Sequence, residues 1–136
     1  AVAIPGIVDG YERNEVLQTM AEGQVAILSG GTGNPYFTTD TAACLRGIEL
    51  GVDAVLKGTK VDGIYSADPK TDPSAQRFEE ITFDEILQRK LGIMDLTAIV
   101  LCQENDMPLI VFDAGMPGAL TDLACGRPVG TKVVHS

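Results

Sequence analysis

The chain has 136 residues, of which 45% are hydrophobic and 21% are charged, as in an ordinary globular protein. Ten basic and nineteen acidic residues give a net charge of −9, and nucleic-acid surfaces instead need a basic patch. No apolar run approaches the roughly 20 residues of a membrane span, and no signal peptide is visible. We therefore predict one domain over residues 1–136, a cytoplasmic location, and neither a nucleic-acid nor a membrane partner.

Short helical and extended patterns alternate along the chain. It opens without Met on an apolar stretch, Ala1–Ile4, which we interpret as the end of a strand entered in mid-fold. The helices are predicted at 14–22, 40–49, 82–91, 96–105 and 117–126. The strands are predicted at 24–29, 52–56, 78–81, 108–112 and 129–134. This alternation is typical of a mostly parallel sheet covered by helices.

The segment Ser29–Asp40 is predicted to bind an anion. It joins a predicted strand to a predicted helix, and its last eleven residues contain three glycines, one asparagine and three threonines. Glycines let the backbone approach a ligand, and the first turn of a helix offers free N–H groups. The segment is neither a Walker A loop nor a G-x-G-x-x-G fingerprint. The density of donors therefore favours a phosphate site over a plain connection.

Two lysines flank Gly58-Thr59 at the predicted end of a strand, where open α/β sheets bind their ligands. Lys57, directly at the strand end, is predicted to face a transferring phosphoryl group, whereas Lys60 fits a solvated surface lysine. The residues that follow, through Asp72-Pro73, are rich in turn formers, and long ordered loops in compact domains are often functional.

The functions of four other polar residues are not decided by their chemistry alone. Asp40 can orient a lysine, lie near a metal or cap its helix, and Asp95 fits a helix N-cap. Tyr65 can stack on a base or cover the core. Asp68, like other aspartates before proline, fits a turn.

The cysteines and the single histidine carry no recognisable site. Cys44, Cys102 and Cys125 are far apart, without a C-x-x-C pair, and we interpret them as small buried hydrophobic residues. His135 lies next to the last residue, which predicts a residue of a frayed tail and not a catalytic one.

Five segments together closely resemble the bacterial uridylate (UMP) kinases of the amino-acid kinase family. They are Gly31–Asp40, Leu56–Tyr65, Ser66–Pro69, Met94–Leu96 and Pro117–Leu120. The resemblance implies a three-layer α/β/α sandwich with a mostly parallel sheet. It also implies transfer of the ATP γ-phosphoryl group to UMP, with Mg²⁺, in pyrimidine nucleotide biosynthesis. By the same resemblance the protein is expected to form homo-hexamers that respond to GTP and UTP.

The resemblance assigns roles to individual residues. The catalytic residues are expected to be Lys57, Asp40 and Asp95. The UMP site is expected to consist of Thr32, Gly33, Asn34, Pro35, Tyr36, Phe37, Thr38 and Thr39. The ATP site is expected to include Thr59, Tyr65 and Asp68. No side chain of this chain is assigned as a metal ligand.

The family also carries a lysine on its first strand and a second glycine-rich loop, neither of which occurs here. We therefore expect the chain to be the C-terminal part of an amino-acid kinase domain, and to be inactive or unstable alone. Two alternatives remain. One is another enzyme of the family, acting on a carboxylate or carbamate. The other is a catalytically incomplete relative that binds or stores nucleotides or oxyanions.

Overall fold

The computed structural model describes residues 3–135, which contain five helices and four strands. The helices are α1 (Arg13–Ala21), α2 (Thr39–Leu50), α3 (Phe83–Arg89), α4 (Leu96–Glu104) and α5 (Ala119–Ala124). The strands are β1 (Val55–Thr59), β2 (Glu80–Thr82), β3 (Leu109–Asp113) and β4 (Thr131–Val134). No helix in this part of the chain is long and apolar enough to cross a membrane. The strand end predicted at residues 1–4 lies partly outside the described residues, and Ile4 forms an isolated bridge with Val8.

The four strands form one sheet in the order β1-β3-β4-β2. The pairs β1–β3 and β2–β4 are parallel, whereas β3–β4 is antiparallel. Two of the three pairings are therefore parallel, as the strand–helix alternation predicts. The β1–β3 register pairs Lys57 with Val111 and Thr59 with Asp113.

The core lies between one face of this sheet and the helices α2, α3 and α4. Alternate strand residues such as Leu109, Val111 and Val133 point into it and are almost fully buried. Phe83 of α3 and Ile99 of α4 meet them there. Full burial of one such side chain stabilises the fold by about 1.5–3 kcal/mol. Helix α4 is apolar on most sides because α2 and α3 both pack against it.

The opposite face of the sheet carries Ile110 and Lys132. These residues border a cavity of about 700 Å³ that is also lined by Leu123 of α5 and by residues 126–130. Elements therefore lie on both faces of the sheet, in the layered arrangement expected of the fold.

Local capping signals predict two of the helices well. Thr38 caps α2, and Gly51 ends it in the left-handed conformation (φ 65°). The Thr82 hydroxyl accepts the Glu85 amide at 3.1 Å and caps α3. Helix α3 ends at Arg89 and not at the predicted residue 91, because Lys90 already adopts the left-handed conformation.

Three other expectations are also wrong. Residues 24–29 form no strand, and the side chains of Val25 and Ile27 are 88% exposed. An apolar run becomes a strand only when a neighbour accepts its backbone hydrogen bonds, and no strand of residues 3–135 does so. Strand β1 spans Val55–Thr59 and not 52–56, because its pairing with β3 continues to Thr59. Cys125 is exposed, in contrast to the expected burial of all three cysteines.

Candidate active site

The best-formed polar contact of the site joins β1 to the first turn of α2. The Nζ atom of Lys57 lies 2.6 Å from Oδ2 of Asp40, and the two side chains are 22% and 26% exposed. Lys57 lies in the middle of β1, whereas the sequence predicted it at the end of a strand. Strand alternation turns it toward the helices, whereas its neighbour Leu56 is exposed. This ion pair is shielded from water on most sides, which strengthens the attraction between the two charges.

A second contact joins the glycine-rich segment to α4. The Thr38 hydroxyl accepts the backbone N–H of Asp40 at 3.1 Å and donates to Oδ2 of Asp95. Asp95 immediately precedes α4 but makes no side-chain hydrogen bond to that helix. Asp95 therefore occupies the predicted N-cap position of α4, but its carboxylate contacts Thr38 instead of capping the helix. Thr38 links Asp40 and Asp95, and through Asp40 it also links Lys57.

The glycine-rich loop itself has an irregular backbone that needs its glycines. Gly31 and Gly33 adopt positive φ values of 64° and 76°, a region that side chains rarely tolerate. Tyr36 adopts the same conformation with φ 66°, which costs of order 1 kcal/mol or more for a non-glycine residue. Its ring is fully exposed, and Phe37 is 48% exposed. Two aromatic rings of the loop, four and three residues before Asp40, are therefore exposed to solvent.

The rest of the predicted UMP-binding segment makes local contacts. The Thr32 hydroxyl accepts the Asn34 amide at 3.1 Å and shapes the turn. Gly33, Asn34 and Pro35 are exposed at the loop surface, and Thr39 begins α2. The eight residues thus form one continuous loop that ends at the start of α2.

The predicted ATP-site residues lie at the end of β1 and in the loop that follows it. Thr59 is the last residue of β1, two positions after Lys57, and its hydroxyl closes a turn with the backbone of Val61 (2.7 and 2.9 Å). The Asp68 carboxylate accepts the Lys70 amide at 2.9 Å. Both groups are therefore engaged in turns. Within residues 3–135, neither Thr59 nor Asp68 forms a hydrogen bond or ion pair with Lys57 or Asp40.

Tyr65, the third of these residues, lies in the same loop. Its hydroxyl donates to Oδ1 of Asp62 at 2.7 Å. This hydrogen bond raises the pKa of Tyr65 above that of an ordinary phenol, with smaller contributions from desolvation and the Asp62 charge. The phenol is therefore protonated at neutral pH, and it serves as a donor and a flat surface instead of a base.

One buried residue that the sequence reading missed holds this loop to the sheet. Thr131 of β4 has no exposed surface, accepts the Ile64 amide at 2.9 Å and donates to the Phe78 carbonyl at 2.5 Å. A Cβ atom on Gly63 would lie only 2.5 Å from the Thr131 hydroxyl, so only glycine fits there. A lone threonine at the start of a strand gives no signal of this role in the sequence.

A second feature missed by sequence is an open groove of about 870 Å³. It lies between residues 26–31, one face of α2 and the exposed side of β1 at Leu56. Ile27 belongs to its lining. The groove reaches the glycine-rich loop at Gly30 and Gly31, so the loop is bordered by apolar surface on this side.

Within residues 3–135, no cluster of three or more His, Cys, Asp or Glu side chains is arranged to hold a divalent metal. Asp40 and Asp95 offer carboxylate oxygens, which Mg²⁺ prefers, but each is engaged by a neighbouring side chain. Mg²⁺ commonly binds through one or two carboxylates together with substrate phosphates. The residues fit an ion that arrives with a nucleotide.

Comparison with known proteins shows the family. The amino acid kinase family model matches residues 3–113, and the chain belongs to this family. A uridylate kinase of Stutzerimonas stutzeri is 53% identical over 136 residues, which are 100% of this chain and 55% of that protein. One from Marinobacter nauticus is 55% identical over 133 residues, covering 98% of this chain and 55% of the relative. The chain thus spans about half the length of these relatives.

Solved structures share the fold. A UMP kinase from Bacillus anthracis aligns with a TM-score of 0.94 and 28% identity, over 98% of this chain and 55% of that one. A UMP kinase from Ureaplasma parvum aligns with a TM-score of 0.90 and 38% identity, over 98% and 57% of the two chains. The four-stranded sheet and its helices therefore have the architecture of the corresponding part of UMP kinases.

Proposed function

We propose that this chain is the C-terminal part of an amino-acid kinase domain that acts as a UMP kinase. The reaction transfers the γ-phosphoryl group of ATP to UMP and gives UDP, a step of pyrimidine nucleotide biosynthesis. Relatives more than 50% identical carry the name uridylate kinase, which supports the substrate class. The observation that carries the proposal is the meeting of Lys57, Asp40, Thr38 and Asp95 at the end of the glycine-rich loop.

In this proposal the loop binds the acceptor nucleotide. Residues 32–39 present hydroxyls, an amide side chain and backbone N–H groups, and the start of α2 adds a favourable field for a phosphate. The exposed rings of Tyr36 and Phe37 supply flat apolar surface beside it. Thr38, held by Asp95, fixes the end of the loop against α4.

The chemistry requires no general base. A UMP phosphate oxygen is already ionised at neutral pH, so the protein has to align two anions and neutralise the charge of the transition state. Lys57 is the cation that we propose neutralises this charge, and Asp40 holds the Lys57 ammonium group in place. Thr59, Tyr65 and Asp68 are proposed to line the ATP side. Asp40 and Asp95 are the carboxylates that would hold Mg²⁺ arriving with ATP, and the ion would supply neutralisation of phosphate charge there.

The family resemblance extends the proposal to the whole protein. We infer homo-hexamers, GTP and UTP as effectors, and a cytoplasmic location. Sedimentation velocity of the protein with and without GTP tests the first two inferences together.

A binding protein without catalysis is the second candidate. The Lys57–Asp40 contact at 2.6 Å positions a charged pair for an anion, which a relative that only binds or stores nucleotides or oxyanions would also use. No contact among the described residues favours a family enzyme that acts on a carboxylate or carbamate.

Two measurements separate these functions. NMR titration of the chain with UMP is expected to shift backbone amides of residues 32–40, and CMP is expected to shift them less. A coupled ADP-release assay with UMP, CMP and N-acetylglutamate then reports catalysis. We expect little release from the chain alone, and release with UMP from a chimera that adds the uncovered part of the Stutzerimonas stutzeri relative.

The outcomes are distinct. Absence of UMP-induced shifts in residues 32–40 contradicts the acceptor site. UMP binding without ADP release from either protein supports the binding role. Release with N-acetylglutamate but not UMP supports the other family enzyme. Normal UMP phosphorylation by the chain alone would refute the prediction that it is inactive by itself.

A further inference from the structure

The ATP-side loop, residues 62–79, connects β1 to β2 and folds back on itself. Tyr65 and Arg77 form an isolated antiparallel bridge between its two arms. Beside this bridge, the Phe78 amide donates to the Ile64 carbonyl at 2.8 Å. These contacts join the two arms of the loop to each other, so a contact that anchors one arm also holds the other.

Thr131 of β4 anchors both arms through a single hydroxyl group. Its Oγ1 atom accepts the Ile64 amide of the first arm at 2.9 Å and donates to the Phe78 carbonyl of the second arm at 2.5 Å. With the bond from Phe78 to Ile64, these contacts close a ring of three hydrogen bonds. Thr131 has no exposed surface and Ile64 is 1% exposed, so water does not compete for the hydroxyl in the folded chain.

The sheet places this anchor in the same row as Lys57. Thr131 pairs with Val111 of β3, and Val111 pairs with Lys57 of β1. Directly paired residues of neighbouring strands have their side chains on the same face of the sheet. Neighbouring strands lie about 4.8 Å apart, which places Thr131 about 10 Å from Lys57 across two strands. The anchor of the ATP-side loop and the lysine proposed to face the phosphoryl group are therefore tied to each other by the register of the sheet.

We propose that Thr131 is a positioning residue of the phosphoryl-transfer site, and that it fixes the ATP-side loop relative to Lys57. Thr131 contacts no substrate in this role. It acts through Tyr65, which follows its partner Ile64 in the chain, and through Asp68, three residues after Tyr65. The inference rests on the proposed function, because it requires that the loop binds ATP.

The hydroxyl group and the shape of the side chain make separable contributions. Only a hydroxyl both accepts from one arm and donates to the other, and serine keeps this group whereas valine keeps only the shape. Within residues 3–135, the Thr131 hydroxyl is bonded to the ATP-side loop and not to residues 32–39, which are proposed to bind UMP. Loss of the hydroxyl is therefore expected to weaken ATP binding selectively. A residue that only stabilised the fold would not distinguish the two nucleotides.

Steady-state kinetics test this selectivity in the chimera that adds the uncovered part of the Stutzerimonas stutzeri relative. ATP and UMP are varied separately in the presence of Mg²⁺. Thr131→Val is expected to raise the KM for ATP about three- to tenfold, the loss that corresponds to one net hydrogen bond, and to change the KM for UMP less than about twofold. Thr131→Ser is expected to restore the KM for ATP of the parent.

Val133→Thr is the matched control on the same strand. Val133 has no exposed surface, and its paired residues Ile81 and Leu109 lie outside the ATP-side loop. This substitution buries a hydroxyl that has no such partners, and it is expected to lower stability without a selective change in the KM for ATP.

Hydrogen–deuterium exchange of the same proteins without nucleotide gives a readout that does not depend on activity. Peptides that cover residues 62–79 are expected to exchange faster in Thr131→Val than in the parent, in Thr131→Ser or in Val133→Thr. Unchanged exchange of these peptides in Thr131→Val overturns the proposal, because the hydroxyl would then not hold the loop.

The kinetic outcomes separate this inference from the proposed function. If the parent phosphorylates UMP and Thr131→Val has the same KM for ATP, or raises the KM of both nucleotides equally, only the positioning role is refuted. If the parent releases no ADP with UMP, the proposed function is refuted, and calorimetric titration with ATP decides the role of Thr131. Weaker ATP binding by Thr131→Val then supports that role in a binding protein, whereas equal binding, or no binding by the parent, overturns it.

Discussion

Replacing Lys57 by methionine is expected to destabilise the fold by about 2 kcal/mol, between the values for exposed and buried pairs. Two unit charges 2.6 Å apart attract each other by about 6 kcal/mol at an effective dielectric constant near 20, but desolvation offsets most of this. Exposed ion pairs contribute about 0–1 kcal/mol, and breaking a buried pair costs about 3–5 kcal/mol. Lys57 and Asp40, at 22% and 26% exposure, fall between these limits.

A double-mutant cycle measures the pair itself. Urea unfolding of the parent chain, Lys57→Met, Asp40→Asn and the double variant is expected to give a coupling energy of about 1–2 kcal/mol. The pair Glu85–Arg89 on α3 is the matched control, because its side chains are 36% and 48% exposed. Its coupling energy is expected to be about 0.5 kcal/mol or less. Equal coupling in the two cycles would refute the reasoning that partial burial strengthens the Lys57–Asp40 pair.

Three further predictions concern stability. Ile27→Asp is expected to change the free energy of unfolding by less than about 0.5 kcal/mol, because the Ile27 side chain is 88% exposed. Ile99→Ala is expected to lower the free energy of unfolding by about 2–5 kcal/mol, because the Ile99 side chain is buried in the core. Light scattering should also show weaker self-association of Ile27→Asp, and stronger self-association contradicts an apolar patch at this position. Thr131→Val leaves a buried amide and a partly buried carbonyl without their partner. Urea unfolding is expected to show a loss of about 1–3 kcal/mol, and a neutral result would mean that the loop is held elsewhere. The hydrogen bond from Arg46 lowers the pKa of Glu49 in the folded chain. The ionised Glu49 carboxylate therefore stabilises the fold fully above the ordinary glutamate pKa, and this stabilisation is lost as the pH falls through the lowered pKa of the folded state. Glu49→Gln is therefore expected to be less stable than the parent at pH 7 and to converge with it in acid, and a gap in urea midpoints that persists at low pH would contradict this.

Helix ends were predictable because their signals are local. Thr38 and Thr82 accept amides two and three residues further along, and Gly51 supplies a left-handed turn. Such interactions depend only on neighbours in the chain, so residue type and spacing reveal them. The strand at 24–29 was predicted from a continuous apolar run and does not form. A strand depends on a partner elsewhere in the chain, which an apolar run does not report.

The site was predictable as residue types but not as contacts. Lys57, Asp40 and Asp95 were selected from their positions in recognisable motifs, and their roles remain proposals. The interpretation that Asp40 orients a lysine is confirmed, but residue types did not show which lysine, because Lys57 is 17 residues away. The contact of Thr38 with an aspartate 57 residues away was not predicted. Asp95 takes the predicted N-cap position, and its carboxylate is occupied by this distant contact.

The sequence by itself determined the glycine-rich loop before a capped helix, the alternation of helices and strands, and the family to which these segments point. These properties follow from local backbone preferences and from motifs that are contiguous in the chain. Only the tertiary structure decided that Lys57 lies inside β1 and that Thr131 holds the loop after β1. Each of these depends on how separate elements pack and register, and that packing is a property of the whole chain.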